Sequence, residues 1–333
     1  MEIAIRQVRG GSGADVWAEN LCRGLNQAGH RCNAEFFPKI YQFIPSSARL
    51  HKNPVVDIVQ GNSWNAFAFR DNAPLVVTEH HVIHDPAYHP YRSLPQALYH
   101  RWIFRCEKSS FKAADAVISD CEYTRKKLKE IFGLDDAIRV YVGIDDKLFC
   151  PRYPDPMDPP IPSGKTTLFF AGNLSRRKGA DLLPAIMKEL GDKYLLLVAS
   201  GQTGASVTGV RNIVNLGRMT VDQLVATYNH CDIFLTPSRL EGFGLSVAEA
   251  MACEKPVVAT NGSSLPELVV DGKGGFLCRM DDVEDFAKKI RHLAADENLR
   301  MEMGRFNRRR VEEMFTIEKM TNGYLDVYRS LTT

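Results

Sequence analysis

The sequence predicts a two-domain α/β protein in which each domain is built on a parallel sheet. Short apolar runs alternate with amphipathic helical stretches, a proline-rich segment divides the chain near its middle, and the same rhythm restarts after it. The length of 333 residues is long for one hydrophobic core and sufficient for two. In such folds ligands bind beyond the carboxyl ends of the strands, so we expect both domains to face one cleft.

The first half opens with an alternating strand at 3–8, a glycine-rich turn at 10–13 and a helix that stops at Gly29. Further strands are expected at 55–59, 75–78, 116–119 and 139–142. The segment 150–164 then holds six prolines, which exclude helix and central strand. It is either the domain boundary, as we expect, or a poorly ordered surface loop.

The second half repeats the pattern of strand, glycine-containing loop and helix. Its strands are expected at 167–171, 194–199, 213–216, 232–236 and 256–259. Three amphipathic helices are expected to close the chain, at about 282–295, 298–313 and 316–331. The three arginines at 308–310 are interpreted as a solvated helix face.

Composition excludes several classes of function. The 42 basic and 40 acidic residues give a formal net charge of +2, which provides no electrostatic basis for nucleic-acid binding. The eight cysteines form no C-x-x-C pair and are expected to be reduced thiols. The first residues do not resemble a signal peptide, and no apolar run is long enough to span a bilayer, so we expect a cytoplasmic protein.

A glycine-containing loop follows the first strand of each half. The first, G-G-S-G at 10–13, breaks the dinucleotide fingerprint at Val16, which leaves an anion or sugar contact at Gly10 and Gly11, or a tight turn without a ligand. The second, G-N-L-S-R-R-K-G at 172–179, places three adjacent cations at a strand's carboxyl end. This loop favours a diphosphate over a solvated basic turn.

The segment T-E-H-H-V-I-H-D-P at 78–86 follows another strand. His80 and His84 are four residues apart, but the zincin pattern is absent and Pro86 leaves little room for a helix, so we expect no metal. His80 suits hydrogen bonding to a sugar hydroxyl, whereas the other histidines are as well explained by structural roles.

The segment S-R-L-E-G-F-G-L-S-V-A-E-A at 238–250 sets Glu241 and Glu249 eight positions apart around two glycines. We expect a helix to begin near Val247, with Glu249 in its first turn, where the helix dipole favours a carboxylate. Ionised carboxylates accept hydrogen bonds from vicinal hydroxyls, and the glycines bring backbone amides close to a ligand. The pattern indicates a site for an activated sugar.

The same segment, followed by E-A-M-A-C-E-K-P-V-V-A-T and L-P-E-L-V-V-D-G-K-G-G-F-L, resembles the signature of retaining glycosyltransferases of family four, which have the GT-B fold. Four earlier segments of the chain also occur in the family's order: G-G-S-G-A, A-D-A-V-I-S-D-C-E-Y-T-R, V-G-I-D and A-G-N-L-S-R-R-K-G. The resemblance therefore extends over most of the chain. It implies an acceptor-side Rossmann-like domain at 1–155, a nucleotide-sugar-binding domain at 164–315, and a last helix, about 316–333, that crosses back to the first domain.

The resemblance also implies the site residues. His80, Lys178 and Glu241 would be catalytic: His80 would face the reaction centre, Lys178 would neutralise the departing diphosphate and Glu241 would lie at the donor sugar. Glu249 would hold the ribose hydroxyls. The implied donor-binding residues are Gly11, Asn173, Arg177, Lys178, Arg218, Met219, Glu241, Gly242, Phe243, Gly244, Leu245 and Glu249.

One position departs from the family pattern. Asn173 stands where the family usually has an arginine, and an amide donates hydrogen bonds without carrying charge. We hypothesise that Arg177 compensates.

The reaction implied is transfer of a glycosyl group from a UDP- or GDP-sugar to an acceptor hydroxyl with retention of configuration, without metal or other cofactor. The chain contains no D-x-D triplet, which fits that expectation. The alternatives are a sugar-nucleotide-binding partner subunit without activity, and another activity of the fold, such as a phosphorylase or epimerase.

The acceptor is left open between a glycan, a lipid-linked molecule and a small molecule. The segment 91–111 mixes aromatic and basic residues. This mixture is explained either by a half-buried helix or by peripheral contact with the inner face of the plasma membrane.

Overall fold

The computed structural model describes residues 1–11, 13–45, 55–153, 164–201 and 206–332. The chain divides into two compact units, Met1–Gly143 with Phe315–Thr333, and Ile144–Met314. This division precedes the proline-rich segment. Residues 154–163 of that segment lie outside the described residues, so the boundary expected there stays a prediction.

The first unit contains a parallel sheet whose strand order is β2-β1-β3-β4-β5-β6. Its strands are β1 (Glu2–Val8), β2 (Arg31–Phe37), β3 (Ile58–Asn62), β4 (Leu75–Glu79), β5 (Ala116–Ser119) and β6 (Ile138–Arg139). Its helices are α1 (Gly13–Gln27), α2 (Leu94–Ala113), α3 (Glu122–Phe132) and α10 (Ile317–Thr332).

The second unit contains a parallel sheet whose strand order is β12-β11-β10-β7-β8-β9. Its strands are β7 (Thr166–Ala171), β8 (Tyr194–Ala199), β9 (Ile213–Gly217), β10 (Ile233–Thr236), β11 (Val257–Thr260) and β12 (Gly275–Cys278). Its helices are α4 (Leu183–Leu190), α5 (Val221–His230), α6 (Leu245–Ala252), α7 (Leu265–Leu268), α8 (Val283–Ala295) and α9 (Glu297–Met314).

The pattern of apolar runs missed two strands, both at sheet edges. β2 reads R-C-N-A-E-F-F and is mostly half-exposed, so it lacks the apolar run that marks a buried strand. β12 has four residues and begins with a glycine of the preceding G-K-G-G turn. The strand expected at 55–59 is observed at Ile58–Asn62, and the one at 139–142 is only Ile138–Arg139.

Helix boundaries follow local capping signals. The hydroxyl of Ser93 caps α2 and Gln96 returns a side-chain hydrogen bond, and Thr220 and Gln223 form the same capping box at α5. Gly133 ends α3 with a φ of 72°, a backbone conformation that is unfavourable for residues with a β-carbon.

The last helix, α10, completes the core of the first unit. Tyr324 accepts a hydrogen bond from the Trp17 indole at 3.2 Å, and its hydroxyl lies 2.9 Å from Thr78 Oγ1. The Tyr328 hydroxyl donates to Gln60 Oε1 at 3.0 Å. Both tyrosines are fully buried, so α10 packs in the core of the first unit, whose sheet is formed by the start of the chain.

The interpretation of residues 308–310 as a solvated helix face is wrong for two of the three arginines. Arg308 Nη1 donates to the carbonyl oxygens of Asp146, Phe149 and Ala252 at 2.8–3.1 Å. Arg310 donates to the carbonyls of α7. The guanidinium group supplies several donors at fixed angles, which lets one side chain bind several loop and helix-end carbonyls.

Candidate active site

Lys178 lies on a loop held against the neighbouring strand. The loop follows β7 and contains a single 3₁₀ turn, Arg176–Lys178, which Ser175 caps. Gly179 ends the turn with a φ of 67°, and a β-carbon there would lie 2.0 Å from the carbonyl oxygen of Pro237. The close approach to Pro237, which follows β10, therefore requires glycine.

A second set of contacts joins this loop to the segment that carries Glu241. The amide of Arg239 donates to the carbonyl of Arg177 at 2.8 Å. The Arg239 guanidinium binds both carboxylate oxygens of Asp181, at 2.7 and 3.0 Å, and that of Asp281 at 2.7 Å. The Arg239 side chain is buried, whereas the two aspartates are partly exposed, and the two-point contact with Asp181 fixes the guanidinium orientation.

The two loops bring the predicted charged residues together. Lys178 Nζ lies 2.6 Å from Glu241 Oε1, and Arg177 Nη1 lies 3.6 Å from Glu241 Oε2. Arg177 also donates to the carbonyl of Leu240 at 2.7 Å. Two cations and one buried carboxylate therefore meet beyond the carboxyl ends of the adjacent strands β7 and β10.

Burial opposes charge on both partners of this pair. For Glu241, the neighbouring Lys178 and Arg177 outweigh the burial, and its pKa is lowered from its ordinary value. Burial and the like charge of Arg177 lower the pKa of Lys178, although Glu241 counteracts them. The carboxylate is thus ionised near neutral pH and holds the ammonium group.

Glu249 does not lie in the first turn of its helix, so that prediction is wrong. Gly244, with a φ of 104°, is the N-cap and α6 begins at Leu245, which places Glu249 in the second turn. Burial raises the pKa of Glu249 to about 7, although the Tyr228 hydroxyl, which donates to Oε2 at 2.8 Å, and Lys178 lower it. Desolvation, rather than the helix dipole, therefore governs its protonation.

The glycine-containing segment between the two glutamates is buried and anchored. Ser264 Oγ donates to the carbonyl of Phe243 at 2.9 Å, and the amide of Glu241 donates to Ser263 Oγ at 3.0 Å. Gly242 and Phe243 are buried, and Leu245 is half-buried. The amides of Leu245 and Ser246, the first two residues of α6, lie too early to reach a carbonyl within the helix and can donate to a ligand.

The remaining predicted residues of the second unit are more exposed. Asn173 is exposed, and its carbonyl accepts the amide of Ser175 at 2.8 Å. Arg218 is exposed and Met219 half-buried; both follow β9, the edge strand, two strands from β7. They occupy the same end of the sheet as Lys178 without joining its ion pair.

In the first unit His80 is part of a buried polar cluster. It follows β4, and its Nδ1 lies 2.9 Å from Oδ2 of Asp120, which follows the adjacent strand β5. The Trp17 ring contacts the imidazole edge-on, with ring centroids 4.6 Å apart. Within the described residues, Nε2 of His80 is buried without a hydrogen-bond partner. Burial opposes the imidazolium, but Asp120, Glu79 and Asp15 raise its pKa.

The first glycine loop already binds an internal carboxylate. The amides of Gly10 and Gly11 donate to Asp15 at 3.2 and 2.6 Å, and Gln7 Nε2 donates to the same carboxylate at 3.0 Å. A ligand anion at Gly11 would have to displace Asp15 and overcome its charge. The donor contact implied for Gly11 stays a prediction.

His84 lies in a structural position, paired with a buried acid. His84 Nε2 lies 2.7 Å from Glu107 Oε2, and burial lowers the pKa of His84 to about 4 and raises that of Glu107 to about 8. Among the described residues, no group of three or more histidine, cysteine, aspartate or glutamate side chains could hold a metal ion.

The sequence interpretation assigned no role to Arg239, Tyr228 or Asp120. Asp120 carries a usable signal, because it follows an apolar strand directly, as His80 does, and adjacent parallel strands bring such residues together. Tyr228 carries no comparable signal, because it lies inside α5 rather than at the end of a strand.

Two family models match the chain. Residues 31–148 match Glycosyltransferase Family 4, and residues 154–310 match Glycosyl transferases group 1. The second match contains Lys178, Glu241 and Glu249, and the first contains His80.

Two curated relatives match about half of the chain. An uncharacterized glycosyltransferase of Methanocaldococcus jannaschii is 32% identical over 49% of this chain and 48% of its own length. A capsular polysaccharide biosynthesis glycosyltransferase, CapM of Staphylococcus aureus, is 37% identical over 47% and 46%. The matched part of this chain thus spans about half the length of each.

Solved structures match the whole chain. Sucrose-phosphate synthase from Thermosynechococcus elongatus has a TM-score of 0.87 at 19% identity, covering 99% of both chains. HepE of Anabaena in complex with UDP-glucose has a TM-score of 0.74 at 17% identity, covering 99% of this chain and all of the other. These likenesses establish the GT-B fold, with its two Rossmann-like domains. The two family matches, over residues 31–148 and 154–310, show that the chain belongs to the family four glycosyltransferases.

Proposed function

We propose that the protein transfers a glycosyl group from a nucleotide-diphosphate sugar to an acceptor hydroxyl with retention of anomeric configuration, in glycan, polysaccharide or glycolipid biosynthesis. The observation that carries the proposal is the buried cluster of Lys178, Arg177 and Glu241 beyond the carboxyl ends of β7 and β10. The sugar carbon leaves the diphosphate oxygen, which keeps the bonding electron pair, and bonds to the acceptor oxygen, whose proton is released.

Lys178 and Arg177 would stabilise the charge that develops on the departing diphosphate. Lys178 and Arg177 are held against Glu241 by the protein's own contacts, and preorganised charges of this kind stabilise a transition state without reorganisation. Glu241 would accept hydrogen bonds from the sugar hydroxyls. We expect no metal or other cofactor to be required, because Lys178 and Arg177 would supply the positive charge that faces the diphosphate.

His80 would donate a hydrogen bond to the transferred sugar or the acceptor through Nε2. Its Nδ1 is held by Asp120 at 2.9 Å, which fixes the ring orientation and favours the imidazolium. Asp120 would therefore be a positioning residue for His80.

Nucleotide binding is expected to tighten as the pH rises through about 7. Glu249 is half-ionised near that pH, and only the ionised carboxylate accepts two ribose hydroxyls; the gain is about tenfold in affinity, from about 1.5 kcal/mol for a charge-assisted hydrogen bond. The free energy of unfolding has the opposite pH dependence. Because the pKa of Glu249 is raised in the folded protein, stability falls as the pH rises from 4.5 to about 7. Calorimetric titration with UDP and GDP at several pH values measures the dependence. Glu249→Gln should abolish it, and an equal dependence in that variant would exclude Glu249 as its source.

The acceptor would be a glycan, a lipid-linked molecule or a small molecule, and a lipid-linked acceptor would require peripheral membrane contact.

None of the eight cysteines, all of which are described, forms a disulfide, which supports a cytoplasmic location. No helix among the described residues is long and apolar enough to cross a membrane.

A nucleotide-release assay tests the proposal. UDP- and GDP-sugars are first screened by thermal shift, since a ligand that binds the native state raises its apparent stability. The expected result is release of the nucleoside diphosphate from the donor that binds, with the product keeping the anomeric configuration. Binding without release or transfer would favour a non-catalytic sugar-nucleotide-binding subunit, which the uncharged Asn173 makes the second candidate.

A further inference from the structure

Two cysteines of the first unit lie side by side on neighbouring elements. Cys22 is in α1, and Cys32 is in β2, the edge strand against which α1 packs. The Cys22 thiol donates to the carbonyl oxygen of Cys32 at 3.1 Å, and the two thiols also hydrogen-bond to each other. A disulfide requires two cysteines whose side chains face each other at close range. The contact between the two thiols satisfies this condition.

Asn26 holds the edge strand against the helix at this point. Its Nδ2 donates to the carbonyl oxygen of Cys32 at 3.0 Å, and its Oδ1 accepts the Cys32 amide at 2.9 Å. The same Nδ2 also donates to Cys22 Sγ at 3.6 Å. One side chain of α1 therefore contacts both cysteines and fixes the position of Cys32 relative to Cys22.

These surroundings favour a thiolate at Cys22. The hydrogen bond with the Cys32 thiol lowers the pKa of Cys22, and donors on Asn26 and the Ala34 backbone lower it further, although burial raises it. The same hydrogen bond, together with burial, raises the pKa of Cys32. Burial also raises the pKa of four cysteines elsewhere: Cys106, Cys231, Cys253 and Cys278. The pair thus combines an ionisable sulfur with a thiol that keeps its proton.

The sulfur of Cys22 is within reach of small molecules in the solvent. Cys22 and Cys32 are both partly exposed, whereas five of the other six cysteines are buried. Cys22 also lines an open surface cavity of about 600 Å³, together with Asn26 and Ala34. Thiolate character and access are the two properties that make a cysteine susceptible to oxidation.

We propose that Cys22 and Cys32 form a reversible thiol–disulfide site that reacts with peroxides. The Cys22 thiolate attacks one oxygen of hydrogen peroxide and the O–O bond breaks. Cys22 becomes a sulfenic acid, and the other oxygen leaves as hydroxide, which takes up a proton to form water. The Cys32 sulfur then attacks the Cys22 sulfur, the S–O bond breaks, and a second water leaves with the Cys32 proton. Two thiols are oxidised to one disulfide, and one peroxide is reduced to two waters.

The closeness of Cys32 determines the product of this reaction. A sulfenic acid without a neighbouring thiol is open to further oxidation, which ends in irreversible acids. Cys32 would intercept the sulfenic acid as a disulfide, and a dithiol reductant would return both residues to thiols. The pair would therefore let the protein pass through oxidising conditions and recover its reduced state.

Peptide mass mapping of the full chain after treatment with one equivalent of hydrogen peroxide tests the proposal. We expect a bridge between Cys22 and Cys32, with a mass lower by about 2 Da for the two hydrogens lost, and its removal by dithiothreitol. In Cys32→Ser the reaction should stop at a Cys22 sulfenic acid, which dimedone traps. Cys22→Ser should form no bridge and should leave Cys32 unlabelled by dimedone.

Asn26→Ala tests the donors around Cys22. Loss of one hydrogen bond lowers the thiolate fraction about fivefold, while the more basic thiolate that remains is intrinsically about twofold more reactive. We therefore expect the bridge to form about twofold to threefold more slowly at neutral pH. An unchanged rate would contradict the assignment of Cys22 as the attacking sulfur.

The matched control removes a different partly exposed cysteine. Cys150→Ser changes the second unit and should leave the rate of bridge formation unaltered. Thermal unfolding checks that each variant is folded, and mapping of the unchanged protein decides the question even if a variant is not. Oxidation of Cys22 to a sulfinic acid without a bridge, or faster oxidation of Cys150, would overturn the proposal. These readouts follow the chemical state of thiols, so they do not depend on the proposed transferase activity.

Discussion

Lys178→Ala is expected to lower donor turnover by about a hundred- to a thousandfold, which is the usual effect of removing one preorganised group that stabilises transition-state charge. The ammonium group lies 2.6 Å from Glu241 and is held there by the 3₁₀ turn and by Gly179. No water molecule can replace its charge at that position. Steady-state measurement of nucleotide release gives the effect on kcat and KM separately.

Arg177→Ala is the matched comparison for Lys178→Ala. If Arg177 compensates for Asn173, its removal should lower turnover or donor affinity by about tenfold, since its Nη1 is 3.6 Å from Glu241 rather than in direct contact. Unchanged kinetics in Arg177→Ala beside an inactive Lys178→Ala would refute the compensation. Near-normal turnover in Lys178→Ala would refute its assignment as the group that neutralises the diphosphate.

Glu241→Ala is expected to remove most activity and to lower the free energy of unfolding by roughly 3 kcal/mol, because it leaves two cations close together and largely buried without their acid. Breaking a buried ion pair costs roughly 3–5 kcal/mol, and the partial solvent access to Lys178, whose side chain is 15% exposed, keeps the loss at the lower end of that range. The protein should still fold. Denaturant unfolding and nucleotide release measure the two effects.

The double variant Lys178→Ala/Glu241→Ala distinguishes catalysis from structure. It removes both charges of the contact, so part of the lost stability should return while activity stays absent. Glu241→Gln, which keeps the shape of the side chain, should be inactive but less destabilised than Glu241→Ala. Near-normal turnover in Glu241→Ala would exclude Glu241 from the donor-sugar site.

The fold class followed from the sequence because buried parallel strands are continuous apolar runs. Tyr194–Ala199 and Ala116–Ser119 were predicted with their observed bounds for this reason. Edge strands lack that property, and R-C-N-A-E-F-F of β2 consequently carried no signal. The last helix was correctly expected near 316–331, since its apolar spacing is regular.

Residues of the candidate site could be proposed from the sequence where the type of side chain alone indicates its chemistry. The meeting of Lys178 with Glu241 follows from loops after adjacent strands. The protonation of Glu249 was not predictable, because it depends on burial and on Tyr228, twenty-one residues away. Likewise, the glycines of the first loop suggested an anion site, whereas Asp15, four residues after Gly11, occupies their amides.

The position of α10 has a consequence for biosynthesis. Tyr324 and Tyr328 fill the interior beside Trp17 and Gln60, so the amino-terminal unit lacks part of its hydrophobic centre until the final helix has left the ribosome. The second unit, which is continuous in sequence, can fold earlier. The first unit is therefore expected to be completed after the second, although its synthesis begins earlier, and nascent chains that stop at Met314 should expose apolar surface and require chaperones.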